Sequence, residues 1–173
     1  AEQTQIQSNA VAKKGKWIKN NKGWWYAYED GTWPKDEIVE INGVNYGFNA
    51  SGYMVTGWYN VPVDEKTTKR VYYNTKGQMQ YGEQKIGDEF YYFDTRTGER
   101  AEESWRDTTD QSGRKIRVYY DEEGCRVSGE QRINGYWYYF DGSRDGTMVT
   151  GWYDVPVDEK TTKQVYYNAK GRM

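Results

Sequence analysis

Apolar and polar residues alternate over short distances along this chain, and no apolar stretch holds a 3.6-residue period. Segments such as "EIVEING" and "GWYNVPV" switch between apolar and polar at every position or two. Each is followed by a turn and then by an aromatic, β-branched cluster: "VNYGFN", "RVYYN", "EFYYFD", "RVYYD" or "YWYYFD". A Gly-containing break leads on, as in "ASGYM", "TKGQM" and "EEGCR". Two such runs around a turn predict a β-hairpin. The Asn-Gly pairs of "INGV" and "INGY" fall where short hairpins reverse, as tight two-residue turns favour. Other hairpins are lengthened by the charged tips "DEKTTK" and "DTTDQSGRK".

Aligned on the first tyrosine of each cluster, the hairpins fall at Tyr26, Tyr46, Tyr72, Tyr91, Tyr119, Tyr138 and Tyr166. The steps are 20, 26, 19, 28, 19 and 28 residues, so a short unit alternates with a long one. Two stretches of 23 residues, 57–79 and 151–173, are nearly identical. They differ only at Asn60/Asp154, Arg70/Gln164, Thr75/Ala169 and Gln78/Arg172. A lone hairpin is marginal in water, but hairpins that stack their aromatic faces stabilise one another. The expected fold is therefore all-β, a solenoid or superhelix of about seven stacked β-hairpins over residues 15–173. Residues kept between copies are expected at stacking positions and residues that vary at solvent. Residues 1–14 lack the pattern and read as a flexible leader.

Composition explains why rings must do the packing. Among 173 residues there is no leucine, whereas 17% are aromatic, with 18 Tyr and 8 Trp. Tyr and Trp bury large areas while keeping a polar handle, which suits a thin structure. The 24 basic and 26 acidic residues give a net charge of −2, no electrostatic reason to expect nucleic acid as partner. No apolar run approaches the ~20 residues of a membrane-spanning helix. With no His and the single Cys125, the usual zinc sites and most His-dependent catalysis are excluded. Carboxylates recur in turns and tips instead of converging as a catalytic pair, so no enzyme, metal site or cofactor is expected.

The motifs "TGW", "WYYF", "YYFD", "DGT" and "GYMVTGW", within the stretch from Trp17 to Met173, resemble the bacterial cell-wall-binding repeat, also called the choline-binding repeat. Carbohydrate-binding repeats of bacterial toxins and glucan-binding repeats of glucosyltransferases are similar. The resemblance implies a superhelix of β-hairpins and a secreted, cell-wall-associated protein whose partner is teichoic-acid choline or an extracellular glycan. It also implies a ligand box made by the Trp of "GW", the Trp of "WYY" and a Tyr of the following hairpin, often with a Met nearby. A quaternary ammonium donates no hydrogen bond and is held by ring faces.

Carried over residue by residue, the first unit has both tryptophans, Trp17 and Trp25, with Tyr46 in its neighbour but Gly47 at the second tyrosine position. Long units keep the first Trp as Trp58, Trp105 and Trp152, with Val71, Val118 and Val165 at the second position. Short units carry Asn45, Phe90 and Trp137 there. The resemblance thus singles out Trp17, Trp25, Tyr46, Trp58, Tyr92, Trp105, Trp137, Tyr139 and Trp152, with ligand sites far fewer than hairpins. Against this stands packing: Trp58, Trp105 and Trp152 can each cover a neighbouring hairpin and bind nothing. Met54, Met79, Met148 and Met173 close units and are expected to fill gaps between layers. The alternative function is a structural spacer or self-association stalk without a small ligand. In that setting, either the chain is a fragment or its terminal hairpin has a face that pairs with a second copy.

Overall fold

The computed structural model describes residues 10–173; of the expected leader, residues 1–9 lie outside the described residues. The chain is all-β, and seven β-hairpins run through the described residues. A two-residue strand β1 (Ala10–Val11) comes first. Then come β2 (Gly15–Asn20) with β3 (Gly23–Tyr28), β4 (Glu37–Ile41) with β5 (Val44–Phe48), and β6 (Gly57–Pro62) with β7 (Thr68–Tyr73). β8 (Gly82–Ile86) pairs with β9 (Glu89–Phe93), β10 (Ser104–Thr109) with β11 (Lys115–Tyr120), and β12 (Gly129–Ile133) with β13 (Tyr136–Asp141). The two-residue β14 (Thr147–Met148) adds to β13, and β15 (Gly151–Pro156) pairs with β16 (Thr162–Tyr167). Within the expected leader, residues 10–14 depart from it: β1 pairs in parallel with β4 through Ala10↔Val39 and Val11↔Glu40.

Two compact units form. One holds residues 10–84 and Phe93–Arg100; the other holds Lys85–Tyr92 and Ala101–Met173, so β8–β9 is divided between them. The Asn-Gly turns are as expected: Asn42 and Gly43, and Asn134 and Gly135, all have positive φ, the geometry that matches the strand twist. The long tips are braced by aspartates, with Asp64 accepting from the N–H groups of Lys66 and Thr67 at 2.8 Å. Asp158 does the same with Lys160 and Thr161.

Because side chains alternate along a strand, each hairpin has two working faces. In the first unit, Val39, Ile41 and Phe48 of β4–β5 pack back onto Tyr26, Trp17 and Tyr28. The other face of β4–β5 meets the next hairpin, where Ile38 joins Val71, Tyr73 and Met79. Gly47 makes that contact possible: a Cβ there would overlap the Tyr73 ring and Val55. The second unit repeats the scheme. Ile116, Val118 and Tyr120 pack on Tyr92, and Val127, Ile133, Tyr138 and Phe140 on Trp105 and Tyr119. Val149, Val155 and Tyr167 pack with Tyr139, Tyr153 and Val165. Val71 and Val118 are fully buried, each worth roughly 1.5–3 kcal/mol of hydrophobic stabilisation.

Connectors tie each hairpin to an earlier one. Met54 N–H donates to the Trp24 carbonyl at 2.7 Å, Met79 to Asn45 at 3.0 Å, and Arg100 to Arg70 at 2.7 Å. In the second unit Arg126 donates to Phe90 and Met173 to Trp137, both at 2.9 Å. Three of the four methionines fill gaps in one particular way, while Met173 is exposed instead. The thioether of Met54 lies over Gly77, that of Met79 over Gly98 and that of Met148 over Gly171, where any Cβ would collide. All three glycines have φ between 69° and 77°, so the turn itself already favours glycine.

Candidate functional site

Four hairpins carry a tryptophan on their first strand, and in each it sits directly across from the cluster tyrosine. The pairs are Trp17↔Tyr26, Trp58↔Tyr72, Trp105↔Tyr119 and Trp152↔Tyr166. All four are edge-to-face, with centroids 5.1–5.3 Å apart. The following hairpin supplies further rings. Trp17 meets Tyr46 at 4.9 Å and stacks on Phe48 at 5.9 Å. Trp105 meets Tyr138 at 4.9 Å and Phe140 at 5.7 Å, and Trp58 meets Phe93 at 5.7 Å. Trp152 and Tyr166 have no such cover, with relative exposures of 68% and 54%.

Strand alternation rearranges the expected box. Trp25 follows Trp24 and precedes Tyr26, the partner of Trp17, so it points to the opposite face of β2–β3 and packs edge-on against Trp33 at 5.6 Å. Trp17 and Trp25 are therefore not brought together. For the same reason Tyr92 and Tyr139 turn away from the tryptophans. Tyr92 joins Tyr120 and lies under the Arg106 guanidinium at 3.8 Å, while Tyr139 packs on Tyr153 at 5.1 Å. Trp137, 44% exposed, lies on the Tyr139 side of β13. The second position of the long hairpins faces back into the core, which is why valine serves there. The rings the sequence reading missed are Tyr26, Tyr72, Tyr119, Tyr138 and Tyr166, and their signal was cross-strand register.

Charged groups complete the picture. The Arg70 guanidinium lies 5.0 Å from the Trp58 ring centre and that of Arg117 5.2 Å from Trp105. Lys19 lies over Trp24 at 5.5 Å and Lys35 over Trp33 at 4.6 Å. In the second unit, Trp152 forms part of the wall of an open groove of about 1040 Å³, with Asp107, Arg117, Asp141, Arg144 and Tyr153. Burial and the Asp141 carboxylate push the Tyr153 hydroxyl up to about 12, so it stays a hydrogen-bond donor at neutral pH. Burial works against the Asp141 carboxylate, yet hydrogen bonds from Ser143 and Tyr153 hold it below the usual range. Among the described residues no cluster of His, Cys, Asp and Glu has metal-holding geometry, and no helix is long and apolar enough to cross a membrane.

What remains as candidate chemistry is a set of ring-lined faces that suit a cation or a sugar. The choline-binding repeat model matches residues 67–105 and 127–173, which take in Trp105, Tyr138, Phe140 and the Trp152–Tyr166 pair but not Tyr119. The chain carries choline-binding repeats in these two segments. Comparison with curated proteins gives no match. Among solved structures, choline binding protein F of Streptococcus pneumoniae is 25% identical with a TM-score of 0.68, over 92% of this chain and 51% of that one. The same protein crystallised with a tetrasaccharide-pentapeptide peptidoglycan analogue gives a TM-score of 0.69 at 25% identity, with the same coverage of both chains. The choline-binding domain of CbpL from Streptococcus pneumoniae shares the fold at 22% identity and a TM-score of 0.62, over 92% of this chain and 77% of that domain. The chain thus spans about half the length of choline binding protein F. Family and ring clusters together support a choline- or carbohydrate-binding module, and proteins with choline-binding repeats are surface-associated.

Proposed function

We propose that this chain is a noncatalytic, extracellular module that holds choline head groups of teichoic acid, or sugar rings, on aromatic faces between hairpins. The observation that carries the reading is the recurrence in four hairpins of one cross-strand Trp–Tyr pair, edge-to-face with centroids 5.1–5.3 Å apart, with Trp152 on the wall of a wide groove. A quaternary ammonium gains roughly 0.5–2 kcal/mol from each such ring face, and several weak sites on one polymer multiply through avidity. Trp17 with Tyr46 is a second candidate face; over Trp58 and Trp105 a guanidinium already lies against the ring.

The ring cover that neighbouring hairpins give Trp17, Trp58 and Trp105 favours a second reading, in which the repeats are a spacer or a self-association stalk that pairs with another copy as a homodimer. Intrinsic tryptophan fluorescence separates the two. Saturable quenching by choline or by a soluble glucan, diminished in Trp152→Ala, is the expected result. A flat response to choline and to a panel of cell-wall oligosaccharides, with dimers in sedimentation, would establish the stalk instead.

A further inference from the structure

The two nearly identical stretches differ at four positions, and two of the four face each other. Asn60 pairs across the strands with Arg70, and Asp154 with Gln164. Both pairs lie on the tryptophan face, two residues along each strand from Trp58 and Tyr72 or from Trp152 and Tyr166. In β6–β7 the side-chain oxygen of Asn60 accepts from Arg70 at 3.0 Å, which aims the guanidinium over Trp58. In β10–β11 the same positions are Asp107 and Arg117, 3.7 Å apart, and that guanidinium lies over Trp105. In β15–β16 there is glutamine beside an aspartate, and in β2–β3 the corresponding pair is Lys19 and Trp24. Among the described residues no cationic group lies over Trp17 or Trp152.

We propose that Arg70 and Arg117 are resident cations, which occupy the tryptophan faces of their own hairpins and close them to choline, so that the residue at this position decides which hairpins bind. The inference rests on the choline reading above. A guanidinium is a planar cation that sits on a ring face much as a quaternary ammonium does. Being tethered, it competes at an effective concentration on the order of millimolar. A choline approaching Trp58 or Trp105 must displace it, whereas over Trp152 there is no guanidinium to displace and Asp154 adds a negative charge nearby.

The test exchanges the pairs within the full chain. Asn60→Asp with Arg70→Gln gives β6–β7 the cross-strand pair that β15–β16 already carries, so the fold has a precedent in the same molecule. Asp154→Asn with Gln164→Arg does the reverse. Choline chloride bound per chain is counted by equilibrium dialysis, and arginine side-chain resonances are read by NMR. Support is a rise of one choline per chain in the first variant, a fall of one in the second, and no gain in Arg70→Lys, which keeps a cation. Upfield ring-current shifts of Arg70 and Arg117 should accompany this in the wild type. Unshifted arginines, or unchanged stoichiometry in variants of a wild type that does bind choline, overturn the resident-cation inference alone. A wild type and variants that all bind no choline overturn it together with the choline reading.

Discussion

Trp105 and Trp152 occupy the same register position in two hairpins, but Trp105 has rings of the next hairpin and the Arg117 guanidinium against it and Trp152 has neither. Replacing each with alanine, in an Arg117→Gln background, therefore weighs the inter-hairpin rings against the hairpin alone. Trp105 touches Tyr119, Tyr138 and Phe140 with centroids at 5.1, 4.9 and 5.7 Å. Edge-to-face and offset pairs contribute roughly 0.5–1.5 kcal/mol each beyond area burial, and truncating a large packed aromatic costs roughly 3–5 kcal/mol. Because Trp105 is only half-buried, the lower end applies, about 3 kcal/mol. Trp152 has the Tyr166 contact and is 68% exposed, so its loss costs about 1 kcal/mol or less. With a urea m-value of about 2 kcal/mol per M, Trp105→Ala lowers the unfolding midpoint by about 1.5 M and Trp152→Ala by under about 0.5 M. Repeat proteins can melt in parts. The measurement is therefore urea-dependent hydrogen exchange read separately in β10–β11 and β15–β16. Equal midpoint shifts for the two variants would mean that rings from the next hairpin contribute nothing, and the packing argument would fail.

Two further outcomes follow from the same geometry. Gly77→Ala combines a left-handed backbone cost of roughly 1–2 kcal/mol with overpacking against Met54 of roughly 1–3 kcal/mol. Thermal unfolding should show the loss shrinking to the backbone part in a Met54→Ala background, and an undiminished loss would rule out the contact. Asp110, at the tip of β10–β11, is lowered to about 2 by hydrogen bonds from the Ser112 hydroxyl and the Ser112 and Arg114 N–H groups, with the Arg114 guanidinium adding to them. A depressed carboxylate stabilises the folded tip fully above its unfolded pKa of about 3.9 and ceases to do so as pH falls through 2. Protection from amide exchange in residues 109–115, taken relative to the intrinsic rate at each pH, should fall between about pH 4 and 2, and constant protection there would contradict the assignment.

The hairpins themselves were legible in the sequence because period-two alternation, Asn-Gly turns and a tyrosine-to-tyrosine repeat all point to the same elements. Which residues share a face was not. Order along the chain groups Trp17 with Trp25, and Trp58 or Trp105 with the second tyrosine of the next cluster. Facing is set by cross-strand register, where a slip of one residue exchanges the two faces. The structure places Tyr26 and Tyr138 where Trp25 and Tyr139 were expected. The Arg70/Gln164 difference misled in a related way. Variation between copies suggested solvent, yet Arg70 lies over a tryptophan, because a guanidinium can be both surface and ring partner. Gly47 looked like a missing tyrosine and is instead the space that Tyr73 enters.

Each thioether that rests on a glycine is donated by one copy and received by a later one: Met54 by Gly77, Met79 by Gly98, Met148 by Gly171. Such a joint has a peg half and a socket half, both encoded in every copy that carries the Gly-x-Met ending. Copying a whole number of copies therefore yields new seams that already fit. Gain or loss of a fraction of a copy would strand a peg against a turn that has no room for it. Growth by whole copies, with later drift confined to faces such as Asn60/Asp154 and Arg70/Gln164, is the history this geometry permits, and it lets ligand preference change while the joints stay fixed.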